Sequence, residues 1–198
     1  MKDKILQLAR QRFFREGFHK IKMDELATEL RISKKTIYKY FPSKEALISE
    51  MVDTLLEHVN SVHDEILQKN LNSVEKFTEF GKFIVHNLLT VNNNMLNDLR
   101  IHAPHLWERI DKFREERLLK NFSVILEQGK KEGYIKNIPN QIITTAFISA
   151  VRGVINPDFI LTNNFSMKTA GLLTLTILVD GILTMDGKKI FNKITLEI

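Results

Sequence analysis

Apolar residues recur along this chain at intervals of three and four positions, the spacing that places them on one face of an α-helix. The first such segment runs from about Lys4 to Glu16, and Gly17 follows at the position where helices commonly end. A longer segment begins after Ser43 and continues to about Gln68. With only 8 glycines and 4 prolines in 198 residues, little in the sequence interrupts long helices. The pattern therefore predicts an all-α fold.

Two short helical patterns separated by a tight turn lie between these longer segments. The first covers residues 24–30, in which the small Ala27 allows a second helix to pack closely. Ser33 is a favourable N-cap for the second, which is predicted from Lys34 to Tyr40. Pro42 ends it because proline lacks the amide that an α-helix needs. This spacing is typical of a helix-turn-helix, a motif that docks on DNA.

The second short helix presents a cluster of polar side chains on its outward surface. Six residues share that surface: Lys34, Lys35, Thr36, Tyr38, Lys39 and Tyr40. Lysine ammonium groups neutralise phosphates, and hydroxyl and amino groups that enter the major groove read the edges of bases. A solvated basic face on an ordinary helical protein is the alternative interpretation of the lysines alone. The spacing of the whole motif favours a DNA-binding surface.

The run from Met23 to Leu47, with its core I-S-K-K-T-I-Y-K-Y-F-P-S-K-E-A-L, closely resembles the DNA-binding domain of the tetracycline-repressor-like (TetR/AcrR) regulators. The resemblance covers roughly the first quarter of the chain. It implies a dimeric, all-helical repressor with an N-terminal three-helix DNA-binding domain, expected at residues 1–48. A larger C-terminal helical domain, expected at residues 49–198, would bind a small ligand, dimerise and release DNA.

The resemblance also implies roles for particular residues of the motif. Positions that face bases or nearby phosphates are occupied here by Lys34, Lys35, Thr36 and Lys39, and positions that usually contact the DNA backbone by Tyr38, Tyr40 and Lys44. Lys22 and Ser33, at the starts of the two helices, complete the expected DNA-binding set. Lys22 stands where the family often has a capping threonine, and Arg31 where it often has a glycine. A non-glycine residue at positive φ costs about 1 kcal/mol, so the turn at Arg31 is expected to be strained or differently shaped.

The positive charge of the chain is concentrated in its first domain. Residues 1–48 hold 12 Lys and Arg against 6 Asp and Glu, whereas residues 49–198 hold 17 against 18. This segregation is expected when one domain meets a polyanion and the other does not. A membrane surface is the competing partner for a basic segment. The helix-turn-helix spacing favours double-stranded DNA instead.

Aromatic residues are frequent in the middle of the chain. Six of them are candidates to line an apolar cavity for a small-molecule effector: Phe77, Phe80, Trp107, Phe113, Phe122 and Phe147. The candidate polar anchors are His86, His102, Asn156 and Arg152. Each of these residues has an alternative interpretation as an ordinary member of the core. His102 and His105 lack nearby carboxylates in the sequence, so no metal site is expected there.

The last third of the chain has the character of an association surface. One helical pattern contributes Ile143, Phe147, Ala150, Val151 and Val154, and a second, from about Ser166 to Met185, contributes Leu175, Leu178 and Ile182. The resemblance implies that these two helices pair with their copies in a homodimer. An intramolecular core is the alternative, and a membrane span is disfavoured because Lys168 and Asp180 interrupt the second segment. A twofold dimer would place two recognition helices about 34–36 Å apart, so the operator should be palindromic.

Several classes of function have no support in the sequence. The chain has no cysteine, which excludes disulfides and thiolate chemistry and is consistent with a reducing cytosol. Its N-terminus is charged and amphipathic, unlike a secretory signal, so we expect a cytoplasmic location. It carries no P-loop, nucleophile elbow, zinc signature or dinucleotide fingerprint, and we expect neither enzymatic activity nor a cofactor or metal.

The preferred hypothesis is a sequence-specific, dimeric DNA-binding transcriptional regulator. It would be a repressor released from its operator by an apolar or amphipathic small molecule. The alternative is a DNA-bound regulator whose helical domain is controlled by a protein partner rather than by a small ligand.

Overall fold

A computed structural model of the protein describes residues 1–88 and 92–195. Within these residues the chain forms eleven α-helices and one π-helical segment, Ile84–Leu88. The α-helices are α1 (Lys2–Glu16), α2 (Met23–Glu29), α3 (Lys34–Tyr40), α4 (Lys44–Gln68), α5 (Ser73–Phe83), α6 (Asn93–His102), α7 (Pro104–Lys131), α8 (Asn140–Val154), α9 (Pro157–Thr162), α10 (Met167–Ile182) and α11 (Met185–Thr195). Pairing of extended backbone in this part of the chain is limited to one isolated bridge between Ile135 and Leu183. The predicted all-α fold is confirmed.

Short polar side chains begin many of these helices. The side chain that precedes the helix accepts a hydrogen bond from the backbone N–H three residues later at Ser33, Asn72, Asn92, Asn156 and Ser166. Such caps satisfy one of the amides that have no partner in the first turn of a helix. The sequence therefore fixes the starting points of these helices locally.

The chain divides into two compact units, of which the first contains α1 to α3, most of α4, and α6. Unit 1 comprises Met1–Val59 and Val91–Ile110. Its core joins buried side chains from both stretches: Ile5, Phe13, Leu26, Ile37, Leu47, Met95, Leu99 and Leu106. Residues distant in sequence thus share one hydrophobic core.

Unit 2 comprises Asn60–Thr90 and Asp111–Ile198. Its buried side chains include Val74, Ile125, Leu126, Ile143, Phe147, Ile182 and Leu183. The division that the sequence predicts after residue 48 falls inside α4, which contributes residues to both units. We keep residues 1–48 and 49–198 as a proposed division by function, distinct from the division by packing.

The two helices predicted as a dimer interface place their apolar residues on more than one face. Four predicted interface residues are buried inside unit 2, with at most 8% of their surface exposed: Ile143, Phe147, Val151 and Ile182. These four also belong to the core of their own chain, which leaves them little surface for a partner, and their role in a dimer interface stays a prediction. The other four are half-buried: Ala150, Val154, Leu175 and Leu178.

Other apolar residues of α8 and α10 face outward. Their exposed large side chains are Ile142, Leu172, Leu173 and Ile177. Apolar residues occupy two faces of α8 and nearly all sides of α10, so the sequence pattern does not distinguish inward from outward positions. Among the described residues, none of the helices combines the length and the hydropathy that a membrane span requires.

Candidate nucleic-acid interface

Helices α2 and α3 form a helix-turn-helix whose geometry is fixed by backbone hydrogen bonds across the turn. The N–H of Ile32 donates to the carbonyl oxygen of Ala27 at 2.9 Å, and the N–H of Arg31 donates to that of Thr28 at 3.0 Å. Leu26 of α2 and Ile37 of α3 are fully buried on the inward faces of their helices. These contacts leave the opposite surface of α3 free to meet another molecule.

The turn itself contains a residue in the left-handed region of the backbone map. Arg31 has φ 55°, a conformation that glycine adopts freely and that other L-residues adopt at a cost of about 1–2 kcal/mol. The predicted strain at Arg31 is confirmed. The turn keeps the shape of the motif in spite of the non-glycine residue.

The N-terminus of α3 is held by two hydroxyl groups. Ser33 Oγ accepts a hydrogen bond from the backbone N–H of Thr36 at 3.0 Å and lies 2.8 Å from Thr36 Oγ1. Both hydroxyls, which the sequence assigned to DNA, therefore already serve the helix cap. Their contact with DNA stays a prediction.

The remaining side chains of α3 form an exposed basic and aromatic surface. Lys34, Lys35 and Lys39 are exposed, and Tyr38 and Tyr40 have 44% and 37% of their surface accessible. Exposed tyrosines beside lysines provide hydroxyl donors and ammonium groups on one face. This is the arrangement expected of a surface that contacts phosphates and base edges.

Lys34 has an acidic partner, which sets it apart from Lys35 and Lys39 of the same helix in the part of the chain that the structure describes. Its ammonium group forms a close ion pair with the Asp24 carboxylate at the start of α2. The hydrogen bond to Asp24 raises the pKa of Lys34. From the sequence, Asp24 is expected only to stabilise the first turn of α2. The ion pair also places its carboxylate within the candidate interface.

Two further predicted DNA contacts lie at helix starts. Lys22 is exposed at the N-cap of α2 and makes no side-chain cap there, as its replacement of the usual threonine predicts. Lys44, at the start of α4, is half-buried, and its Nζ donates to the carbonyl oxygen of His19 at 2.7 Å. Burial lowers the pKa of Lys44.

The loop between α1 and α2 is bound from the other side by α6. The backbone N–H of His19 donates to Asp98 Oδ2 at 2.7 Å, and the side-chain amide of Asn92 donates to the carbonyl oxygen of Arg15. The rings of His19 and His102 stack with centroids 3.6 Å apart and an interplanar angle of 7°. Sequence reasoning missed this contact because 79 residues separate His19 from Asp98.

The aromatic residues predicted to bind an effector lie in several environments. Phe122 packs against Phe77 and Phe147, with ring centroids 4.7 and 4.5 Å apart. In unit 2, Phe80 meets His63 edge to face at 4.4 Å, and the Arg117 guanidinium lies 5.8 Å from the centroid of the Phe113 ring. Trp107 instead packs against the core of unit 1. A ligand role for these six residues stays a prediction.

The four candidate polar anchors have other places in the structure. His86 is exposed, Asn156 caps α9, and His102 stacks on His19. Arg152 forms ion pairs with Asp111 at 2.8 Å and with Glu115 at 2.6 Å. Within the described ranges, His, Asp and Glu side chains do not gather in a group of three that could hold a metal ion.

Comparison with known proteins agrees with the geometry of unit 1. Residues 5–51 match the sequence model of the family described as bacterial regulatory proteins, tetR family. The uncharacterized HTH-type transcriptional regulator YvaF of Bacillus subtilis is 23% identical over 181 residues, which are 91% of this chain and 95% of YvaF. The nucleoid occlusion factor SlmA of Vibrio cholerae is 25% identical over 170 residues, 78% of this chain and 82% of SlmA.

Solved structures of TetR-family regulators share the fold of this chain. The crystal structure of a TetR-family transcriptional regulator from Marinobacter aquaeolei VT8 superposes with a TM-score of 0.76 at 19% identity, covering 100% of this chain and 98% of that one. A helix-turn-helix with a basic outward face, a family match across it and similarity along most of the chain lead to one conclusion. The protein carries the DNA-binding domain of the tetR family of bacterial regulatory proteins at residues 5–51, and the chain shares the fold of TetR-family transcriptional regulators.

Proposed function

We propose that the protein is a dimeric transcriptional repressor that binds a palindromic operator through α3 and releases it when a small molecule binds unit 2. Regulators of this family bind DNA and are generally repressors. The observation that carries the proposal is the exposed basic and aromatic surface of α3. Regulators of this kind are generally not enzymes, and we propose neither a catalytic activity nor a cofactor. A role in transcription would place the protein in the cytoplasm with the DNA.

The α3 surface supports sequence-specific binding because it combines two kinds of contact. Lys35 and Lys39 are exposed and can offer positive charge to phosphates or to guanine acceptors, while Tyr38 and Tyr40 can offer hydroxyl groups to the DNA backbone. Lys34 would contact DNA from its ion pair with Asp24. Lys22 and Lys44 extend the same basic surface to the starts of α2 and α4.

The exposed apolar residues of α8 and α10 support a homodimer. Ile142, Leu172, Leu173 and Ile177 have 61, 47, 57 and 71% of their surface exposed. Exposed apolar residues grouped on neighbouring helices mark association sites in soluble proteins. A second copy would cover this surface by twofold symmetry. The symmetry would place two α3 helices on successive major grooves.

Two orphaned polar atoms of α4 support an effector site in unit 2. Asn60 Oδ1 and His63 Nδ1 are buried and have no hydrogen-bond partner in the part of the chain that the structure describes. Each such atom costs about 1–3 kcal/mol if it stays unsatisfied. A ligand that bonds to them would recover that free energy on binding.

The surroundings of His63 indicate the chemistry of the effector. Burial lowers the pKa of His63 to about 4, so its ring is neutral at pH 7 and offers one donor and one acceptor. Phe80 gives the ring an apolar edge-to-face contact, and the opposite charges of Asp64 and Arg117 shift the pKa of His63 in opposite directions. The fitting molecule is a neutral amphipathic one, with an apolar body and a hydroxyl or amide group.

Selection of binding sites from random duplex DNA, at two salt concentrations, tests the proposal. We expect a palindromic consensus whose half-site centres are about 10–10.5 base pairs apart, or a multiple of that spacing. Binding that is steeply salt-dependent but selects no consensus would indicate non-specific coating of DNA instead. Failure to bind any duplex would refute the proposed function.

The consensus then serves as the probe for the effector. Neutral amphipathic compounds are screened for release of labelled operator, and each active compound is tested on Asn60→Leu and His63→Leu. These variants should bind the operator but lose the response, whereas His58→Leu, an exposed position on the same helix, should keep it. An undiminished response in both variants would place the effector elsewhere.

A second candidate function is control by a protein partner. Relatives named nucleoid occlusion factor SlmA match 78% of this chain, so a role outside ordinary repression deserves a separate experiment. Protein that copurifies with the operator-bound regulator, combined with a failure of all compounds to release DNA, would favour this alternative.

A further inference from the structure

We propose that Asp98 of α6 is a positioning residue for DNA binding, which acts through the backbone of His19 on the ammonium group of Lys44. The inference rests on the proposed function, in which Lys44 contacts a phosphate. Two hydrogen bonds of one residue carry the connection. The backbone N–H of His19 donates a hydrogen bond to Asp98 Oδ2 at 2.7 Å. The carbonyl oxygen of His19 accepts a hydrogen bond from Lys44 Nζ, also at 2.7 Å.

The close approach of Asp98 to the loop depends on Gly17. Gly17 has φ 85°, and a Cβ atom built on it would lie 2.6 Å from Asp98 Oδ2. Any larger residue would therefore meet the carboxylate as well as strain the backbone. The absence of a side chain at Gly17 therefore leaves room for the Asp98 carboxylate.

Other contacts of α6 hold the same loop in register. Asn92, at the N-cap of α6, donates to the carbonyl oxygen of Arg15, and His102 stacks on the His19 ring at 3.6 Å. Asp98 lies between these two positions along the helix. Helix α6 and its N-cap therefore contact the end of α1 and the loop through Asn92, Asp98 and His102. The loop in turn binds Lys44 through the carbonyl oxygen of His19.

The charge of Asp98 also acts on Lys44 directly. Lys44 is half-buried, and burial lowers its pKa, while the negative charges of Asp98 and Glu25 oppose that change. A hydrogen bond from a backbone amide to a carboxylate is stronger than one to a neutral acceptor. Asp98 therefore opposes the effect of burial on Lys44 and, through His19, orients the ammonium before DNA arrives, which reduces the ordering cost of binding.

A double-mutant cycle tests this connection. The variants are Asp98→Ala, Lys44→Ala and the combination of both, and affinity for the selected operator is measured by fluorescence anisotropy at several salt concentrations. Asp98→Ala should weaken binding about 3- to 10-fold and reduce the slope of log K against log salt by up to about 0.9, the value for one lost phosphate contact. In the Lys44→Ala background the same change should alter Kd less than about 1.5-fold, because the two residues act in series.

Three further variants separate positioning from general damage. Asp98→Asn keeps an oxygen that can accept the His19 N–H, so it should restore most of the affinity. Asn97→Ala removes a neighbouring side chain of α6 that bonds to Arg100, and should bind as wild type. If Asp98→Ala does not fold, as judged by its Tm, Asp98→Glu replaces it because it keeps the charge and displaces the carboxylate.

Each outcome is decisive. If the wild type selects no DNA site, the proposed function and this role of Asp98 both fail. If the wild type binds its consensus but Asp98→Ala, or the Asp98→Glu variant that replaces it, changes neither Kd nor the salt slope, only the positioning role fails. An equal loss of affinity with and without Lys44 would likewise show that Asp98 does not act through it.

Discussion

Replacing Arg31 by glycine should stabilise the protein. Arg31 has φ 55° in the turn of the helix-turn-helix, and relief of that conformation is worth about 1–2 kcal/mol. The greater conformational freedom of glycine in the unfolded chain offsets about 0.5–1 kcal/mol of this gain. Within residues 1–88 and 92–195, the exposed Arg31 side chain makes no hydrogen bond or ion pair that would be lost. The expected net gain in the free energy of unfolding is about 0.5–1 kcal/mol.

Urea unfolding and thermal unfolding measure this gain, and two matched variants control for other effects. For a chain of this size, Tm should rise by about 1–4 °C. Arg31→Ala removes the same charge without relieving the backbone, so its Tm should stay at or below that of the wild type. Asn164→Gly should gain less, since Asn164 has φ 54° but asparagine tolerates that region. An Arg31→Gly protein no more stable than Arg31→Ala would refute the strain argument.

Three other predictions concern DNA contact, association and pH. Tyr38→Ala should weaken operator binding about 3- to 10-fold across sequences. Tyr38→Phe should reproduce that loss if the hydroxyl makes the contact. Wild-type affinity in both variants would show that Tyr38 does not contact DNA. Ile177→Asp should convert a dimer to a monomer, as measured by light scattering, whereas the exposed control Thr162→Asp should stay dimeric. A dimer of Ile177→Asp that persists at low concentration would place the interface elsewhere. Because the folded pKa of His63 is about 4, below its ordinary value of 6.5, the unfolded state binds more protons between these values, and stability should fall as pH falls. From pH 7.5 to 5 the loss attributable to His63 is about 2 kcal/mol; urea titrations of His63→Gln should lack it, and an unchanged pH profile would contradict the assignment.

The DNA-binding motif could be predicted from the sequence because its determinants are local. The cap at Ser33, the apolar spacing of Leu26 and Ile37, and the break at Pro42 all act within a few residues. The strain at Arg31 was expected from the family resemblance instead, because the family often has a glycine at this position, and Arg31 indeed has φ 55°. Local hydrogen bonding and helical periodicity were sufficient for this part of the fold.

The remaining features depend on contacts that no local pattern encodes. Ile142 and Ile143 are adjacent and equally apolar, yet one is exposed and the other buried, because packing partners from other helices decide which face turns inward. The bond between Asp98 and His19 joins residues 79 positions apart. Asn60 and His63 each have a buried side-chain atom without a hydrogen-bond partner among the described residues, and this burial depends on the packing of other helices against α4.

The division of unit 1 between two stretches of chain has a consequence for protein engineering. Its core combines residues of α1 to α4 with Met95, Leu99 and Leu106, although Asn60–Thr90 intervene in the sequence. A chimera that exchanges only the first 59 residues between two regulators would pair one half of a core with a foreign second half. Recombining DNA specificity with effector response in this protein therefore requires two crossover segments, the second covering residues 92–110, so that the exchanged piece arrives with its own packing partners.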